Sequence, residues 1–169
     1  NGCTVSASTT VTQNITTPNV NIAAPATLSC TVLSVTMTAS STTAGAAYSW
    51  GGGVITNTKT VSAPGPYSVT VTDPANGCTV SASTTVTQNI TTPNVSIAAP
   101  AALTCTVLSV TMTASSTTAG AAYDWGGGVT TNTKAVNTAG SYSVTATDPV
   151  NGCTVSASTT VTQNITTPN

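Results

Sequence analysis

Apolar and polar residues alternate with a period of two along most of the chain. Cys78, Val80, Ala82, Val86 and Ile90 share one parity, and Thr79, Ser81, Ser83, Thr85, Thr87 and Asn89 the other. That pattern predicts a half-buried strand with one apolar face and one hydroxyl face. Tyr67, Val69 and Val71 alternate likewise with Ser68, Thr70 and Thr72, and Asp73-Pro74-Ala75-Asn76-Gly77 between the two runs is a turn signal. The two runs are therefore expected to form a hairpin. Upstream, Val35, Met37 and Ala39 alternate with Thr36, Thr38 and Ser40. Tyr48 and Trp50 share a parity before the break at Gly51-Gly52-Gly53, and Val54–Val61 reads as a further Thr-rich strand. Pro25 interrupts the first strand, Val20–Cys30, and marks it as an edge strand, since a central one would lose a ladder hydrogen bond there. No stretch has a helical period. About seven short strands separated by turn signals every ten or so residues predict an all-β fold, a sandwich.

The pattern repeats. Asn-Gly-Cys-Thr-Val-Ser-Ala-Ser-Thr-Thr-Val-Thr-Gln-Asn-Ile-Thr-Thr-Pro-Asn stands at Asn1–Asn19, at Asn76–Asn94 and at Asn151–Asn169. The period is 75 residues, and residues 20–94 and 95–169 align without a gap and differ at 12 positions. The expected organisation is a terminal strand of a preceding repeat at 1–19 and two modules of about 75 residues at 20–94 and 95–169, a segment of a longer array. A single two-faced strand such as Asn1–Asn19 has no sheet to bury Val5, Ala7, Val11 and Ile15. To be ordered as a strand it needs a host, expected to be another copy of the module. A continuous array is favoured over strand donation between separate subunits, because the second module already carries its own copy of the strand.

Composition narrows the function. Only 3% of the residues are charged: Lys59, Lys134, Asp73, Asp124 and Asp148, with no His, Arg, Glu or Phe. Two cations cannot neutralise a run of phosphates, which excludes nucleic acid as a partner. Without imidazole or paired carboxylates no nucleophile has a base, so no catalytic residue, cofactor site or metal site is expected. No run is long and apolar enough for insertion into a membrane. Polarity comes instead from 60 Ser and Thr residues.

Each module has two cysteines, Cys30 with Cys78 and Cys105 with Cys153, and Cys3 is left over. The repeat accounts for Cys3: it stands at the Cys78 position and is orphaned from a partner in a preceding repeat. A module this small needs a staple, and disulfides belong to oxidising, extracellular compartments. Pairing within each module is the expectation. Strand geometry keeps an alternative open, because in an immunoglobulin topology the end of the first strand and the start of the last lie at opposite poles, roughly 25–30 Å apart, where a disulfide spans about 6 Å. Either the first strand is short and displaced by Pro25, or the bonds link neighbouring modules or chains.

The ordered set Leu28-Ser29-Cys30, Tyr48-Ser49-Trp50 with its glycines, Gly65-Pro66-Tyr67-Ser68-Val69-Thr70-Val71-Thr72-Asp73 and Asn76-Gly77-Cys78-Thr79 resembles the tandem Ig-like, polycystic-kidney-disease-type repeats of very large secreted bacterial surface proteins and adhesins. The resemblance covers both modules whole. It implies tandem Ig-like β-sandwiches in an extracellular cell-surface protein: a structural repeat of a long fibre or filament whose partners are other copies of the same repeat. The alternative is an adhesin module that grips a glycan or host surface. Asp73 and Asp148 are read as turn formers rather than calcium ligands, since Ca²⁺ takes six to eight oxygens. Lys59 and Lys134 are read as exposed guards against edge-to-edge pairing, in preference to an isopeptide partner. Trp50 and Trp125 are read as core rather than as a carbohydrate platform. Asn14, Asn89, Asn94 and Asn164 open Asn-x-Ser/Thr sequons.

Overall fold

The computed structural model describes residues 1–165. They form two compact units. The first comprises residues 1–26 and 34–87, and the second residues 27–33 and 88–169, of which 166–169 lie outside the described residues. Residues 27–33, from the first sequence repeat, thus belong to the second unit.

In the first unit the strands are β1 (Asn21–Ile22), β3 (Val35–Ser40), β4 (Ala47–Ser49), β5 (Thr58–Val61), β6 (Gly65–Thr72) and β7 (Thr79–Val86). They make two three-stranded antiparallel sheets, in the orders β1-β3-β5 and β4-β6-β7. Val35, Met37 and Ala39 from one sheet and Val69, Val71 and Val86 from the other are buried, with Trp50. The second unit repeats the plan. Its sheets are β9-β11-β13, from Ser96–Ile97, Val110–Ser115 and Thr133–Val136, and β12-β14-β15, from Ala122–Asp124, Gly140–Thr147 and Thr154–Val161. Val110, Met112, Ala114, Trp125, Val136, Val144 and Val161 cluster with Leu103 as its core. The chain is all-β, a tandem of Ig-like β-sandwich modules.

The alternation read from the sequence is the burial observed. β3 and β11 alternate buried and exposed at every residue, and β7 and β15 expose one parity and half-bury the other, which is fully buried only at Val86 and Val161. The predicted hairpin closes with Val69 opposite Ala82. Hydroxyls pair across strands on the outward faces: Thr36 with Thr60 at 2.8 Å, Thr70 with Ser81 at 2.9 Å and Thr145 with Ser156 at 2.9 Å. Such pairs stabilise a sheet by a few tenths of a kcal/mol each, ~0.2–1, and give solvent a polar surface with almost no charge. Met112 has no exposed surface. Met112→Ala is expected to cost about 2–5 kcal/mol, the range for emptying a packed site, measured by urea denaturation. A cost under about 1 kcal/mol would mean that this core is not packed as described.

Two expectations change, and the segment expected to need a host forms no strand. The strand expected over Val54–Val61 is only Thr58–Val61, because Trp50 Nε1 donates to the carbonyl of Thr56 (3.1 Å) and Thr56 Oγ1 to that of Thr58 (2.7 Å), holding the preceding residues in a loop. Pro25 divides the expected first strand in two. Before it, β1 pairs antiparallel with β3; after it, β2 (Leu28–Ser29) pairs in parallel with β8 (Gln88–Asn89). Asn1–Asn19 forms no strand, with Val5 99% and Val11 91% exposed. The same residue order builds β7 where β6 supplies hydrogen-bond partners; at Asn1–Asn19 no described strand pairs with it, and the segment meets the first unit through Asn14, Thr16 and Asn19.

Candidate functional site

The expected pairings Cys30–Cys78 and Cys105–Cys153 are not those of the structure. Cys30 is bonded to Cys153, 123 residues on, with 5.0 Å between their Cα atoms, and Cys3, Cys78 and Cys105 are free. The strand register explains why. Leu103–Thr104 (β10) pairs in parallel with Gln163–Asn164 (β16), Leu103 opposite Gln163 and Thr104 opposite Asn164. Cys105 therefore lies beside Ile165, at the far end of the terminal strand from Cys153. Ten-odd residues of strand intervene, roughly 35 Å at the usual rise per residue, several times the reach of a disulfide. Leu28 and Ser29 repeat that register against Gln88 and Asn89. Cys30 is thereby carried past the end of its own repeat's terminal strand and meets the turn that begins the next repeat's last strand.

That turn is built to receive it. The carboxylate of Asp148 accepts from Val150 N (2.8 Å), its carbonyl accepts from Gly152 N (2.8 Å), and its N–H donates to Cys153 O (2.9 Å). Asn151 is only 2% exposed and uses both ends of its amide. Its Nδ2 donates to Asn89 Oδ1 (3.0 Å) and to Thr91 O (2.8 Å), and its Oδ1 accepts from Cys153 N (2.8 Å). A buried amide with all these partners costs little and fixes the linker strand against the turn. On the other side, Ser29 Oγ accepts from Thr31 N (3.3 Å) and Val32 N (3.1 Å), and Ser29 N donates to Val32 O (3.0 Å), a tight turn that presents Cys30. Gly152 adopts φ +70°, and a Cβ there would collide with Thr31 Cγ2. Glycine is needed twice, for the left-handed backbone and for the close approach.

Comparing Gly152→Ala with Gly77→Ala separates those two needs, since Gly77 has φ +74° and nothing within 4 Å of its added Cβ. Both substitutions are expected to carry the left-handed penalty of about 1–2 kcal/mol. Gly152→Ala adds an overpacking cost of about 1–3 kcal/mol and slows oxidation of Cys30, read by thermal melts and thiol titration. Adding Thr31→Ala should restore part of the loss for Gly152→Ala only. Equal effects at the two glycines would refute the close contact.

The remaining candidates have structural roles. Asp73 Oδ1 accepts from Ala75 N (2.8 Å), and its carbonyl from Gly77 N (2.8 Å), as a turn former does. Trp50 and Trp125 are each 5% exposed, with Nε1 donated to the carbonyls of Thr56 and Thr131. Lys59 and Lys134 stand on the edge strands β5 and β13 but are half-buried, not exposed. Their Nζ atoms donate to Trp50 O (3.2 Å) and Trp125 O (3.1 Å) and lie 5.6 and 5.8 Å from the ring centres of Tyr67 and Tyr142. Each lysine clamps the turn after its tryptophan by a charge-assisted hydrogen bond and a cation–π contact. Among the sequon asparagines, Asn94 Oδ1 accepts from Ser116 Oγ, Thr117 N and Thr117 Oγ1 (2.8–3.0 Å), and Asn14 Oδ1 and Asn89 Oδ1 accept from Asn76 and Asn151. These side chains tie linker to module. Asn76 and Asn151, read in the sequence only as parts of turns, are the residues that reasoning from strand pattern passes over. Their recurrence beside the cysteine in all three Asn-Gly-Cys copies is the signal that was available.

Two three-stranded sheets per unit, the parallel β10–β16 pair and the hairpin β14–β15 define the class: a tandem of Ig-like β-sandwiches. Among solved structures the chain is similar to the three N-terminal domains of the highly immunogenic outer capsid protein (Hoc) of bacteriophage RB49, with 20% identity and a TM-score of 0.50. The match covers 87% of this chain and 59% of that one, so the likeness is one of fold. No protein-family model and no curated protein sequence matches the chain.

Proposed function

We infer that the chain is a structural repeat of a long extracellular fibre or filament at a bacterial cell surface, of the kind its Leu-x-Cys, Tyr-x-Trp and Asn-Gly-Cys-Thr motifs resemble, and that it is not an enzyme. The observation that carries this reading is the Cys30–Cys153 bond, which ties one sequence repeat covalently to the next by a route other than the backbone. Such a bond suits a molecule whose task is to stay connected under tension, and its persistence suits an oxidising exterior. The hydroxyl-covered, nearly uncharged sheets support it too, since a surface with little charge favours association with like surfaces. The alternative of a glycan-binding module loses its aromatic platform, because Trp50 and Trp125 are core residues.

Electron microscopy of the protein shed from its cells is the test, with a glycan array beside it. Filaments of uniform width that ignore the array are expected. Flexible strands retained by particular glycans would replace this reading with the adhesive one.

A further inference from the structure

Cys3, Cys78 and Cys105 carry free thiols, yet each stands at a repeat position whose counterpart is bonded. Cys105 is the second repeat's Cys30, and Cys78 is the first repeat's Cys153. The local structure is the same at the bonded and the free positions. Thr104 Oγ1 accepts from Thr106 N and Val107 N as Ser29 Oγ does from Thr31 N and Val32 N. Asn76 Nδ2 donates to Asn14 Oδ1 (3.2 Å) and Thr16 O (2.9 Å), repeating the contacts of Asn151, and Asn76 Oδ1 accepts from Cys78 N (2.8 Å).

What differs is cover. Asn151 and Cys153 are 2% and 1% exposed, whereas Asn76 and Cys78 are half-buried. The Gly152 Cα faces Thr31, whereas nothing stands within 4 Å of a Cβ built at Gly77. Residues 27–33 supply the cover at Cys153, and the Cys78 turn has the same shape without it.

We propose that the Cys78 turn and the Cys105 turn are docking sites for further copies of this repeat, and that the cross-repeat bond recurs along the array. Cys105 bonds the Asn-Gly-Cys thiol of a following copy, and Cys78 the Leu-x-Cys thiol of a preceding one. This rests on the fibre reading above. The occupant is identified by continuity, since the one such site that is filled is filled by a segment of the same repeat. Each bond forms by thiol–disulfide exchange with a small disulfide oxidant: two thiols lose two protons and two electrons, one S–S bond forms, and the oxidant leaves as two thiols.

The pattern has a mechanical consequence. The bond spans 123 residues and the period is 75, so successive loops overlap. Every peptide bond inside the array is then bypassed by at least one disulfide. A backbone cut anywhere between the outermost bonded cysteines leaves the fibre in one covalent piece.

Thiol counting tests the proposal, using oxidised glutathione as the oxidant on dilute protein and mass spectrometry of the denatured, iodoacetamide-treated chain, in which a cysteine carrying either the acetamide or a single glutathione counts as a reactive thiol. The 169-residue chain should show three reactive thiols. Lengthening it by one more copy of Val95–Asn169 adds two cysteines and should leave the count at three, because Cys105 gains its partner as a new Leu-x-Cys thiol appears. A count of five, with Cys105 still reactive, overturns the proposal. A count of one means pairing within repeats and overturns it together with the Cys30–Cys153 assignment. As a second measurement, the oxidised, lengthened chain is nicked by a protease of broad specificity. It should migrate as one species without reductant and as fragments with it, and fragments released without reductant from within the bonded span would refute the overlapping loops. Filament morphology is scored separately: fibres with five reactive thiols sink the bond pattern and leave the fibre reading, and three thiols without fibres do the reverse.

Discussion

Stretched by its two ends, the oxidised chain extends only through its first 30 residues and those from Cys153 onward, and reduction then releases about 400 Å of further length. The Cys30–Cys153 bond takes the tension across itself, so the 123 residues it spans never feel the pull while it is intact. An extended chain covers about 3.3–3.6 Å per residue, which sets the length hidden in the loop. Single-molecule force spectroscopy in the absence and presence of a phosphine reductant reads it directly. Cys30→Ser should show the full extension without reductant, while Cys78→Ser and Cys105→Ser should behave as the unaltered chain, since both thiols are free in it. An oxidised chain that extends as far as Cys30→Ser would remove the cross-repeat bond and with it the main support for a tension-bearing role.

Loss of the same bond is expected to lower stability by about 5 kcal/mol. Closing a loop of more than a hundred residues removes that much chain entropy from the unfolded state, near the upper end of what native disulfides contribute. For a chain of this length the loss corresponds to a fall of about 10–20 °C in melting temperature. Cys30 is the better position to alter, because it is exposed, whereas Cys153 is 1% exposed and a serine there would add the cost of a buried hydroxyl. Cys30→Ser and the reduced, unaltered chain should melt together, and Cys78→Ser should melt with the oxidised protein. A Cys78→Ser variant as unstable as Cys30→Ser would revive pairing within the repeat.

Much of this molecule is legible in its residue order, because its strands are two-faced and their neighbours are local. Val35, Met37 and Ala39 alternate with threonines and serine, and those are the residues that β3 buries and exposes. The hairpin of β6 and β7 needs only the turn Asp73–Gly77 between two alternating runs. Trp50 was readable as core from its shared parity with Tyr48. The role of the lysines is not legible in the sequence, because a side chain's reach is not in its parity. Lys59 lies on an edge strand, as a guard would, but its four-carbon stem carries the ammonium inward to the Trp50 carbonyl and the Tyr67 ring. Parity likewise extended a strand over Val54–Val61, where hydrogen bonds from Trp50 and Thr56 hold a loop.

Residue type and short-range spacing dictate the all-β class, the 75-residue period, the faces of the long strands and the near absence of charge, so all four are legible in the residue order. Which cysteines meet is settled in space. Two thiols in one repeat and two in the next satisfy any composition argument equally, and the choice turns on the parallel register of Leu28 against Gln88 and of Leu103 against Gln163. That register, set after Pro25 and its counterpart Pro100 break the first strand, moves Cys30 and Cys105 to the pole away from their own repeat's Asn-Gly-Cys turn. A disulfide reaches only a few ångströms, so position in space, and not proximity along the chain, selects the partner.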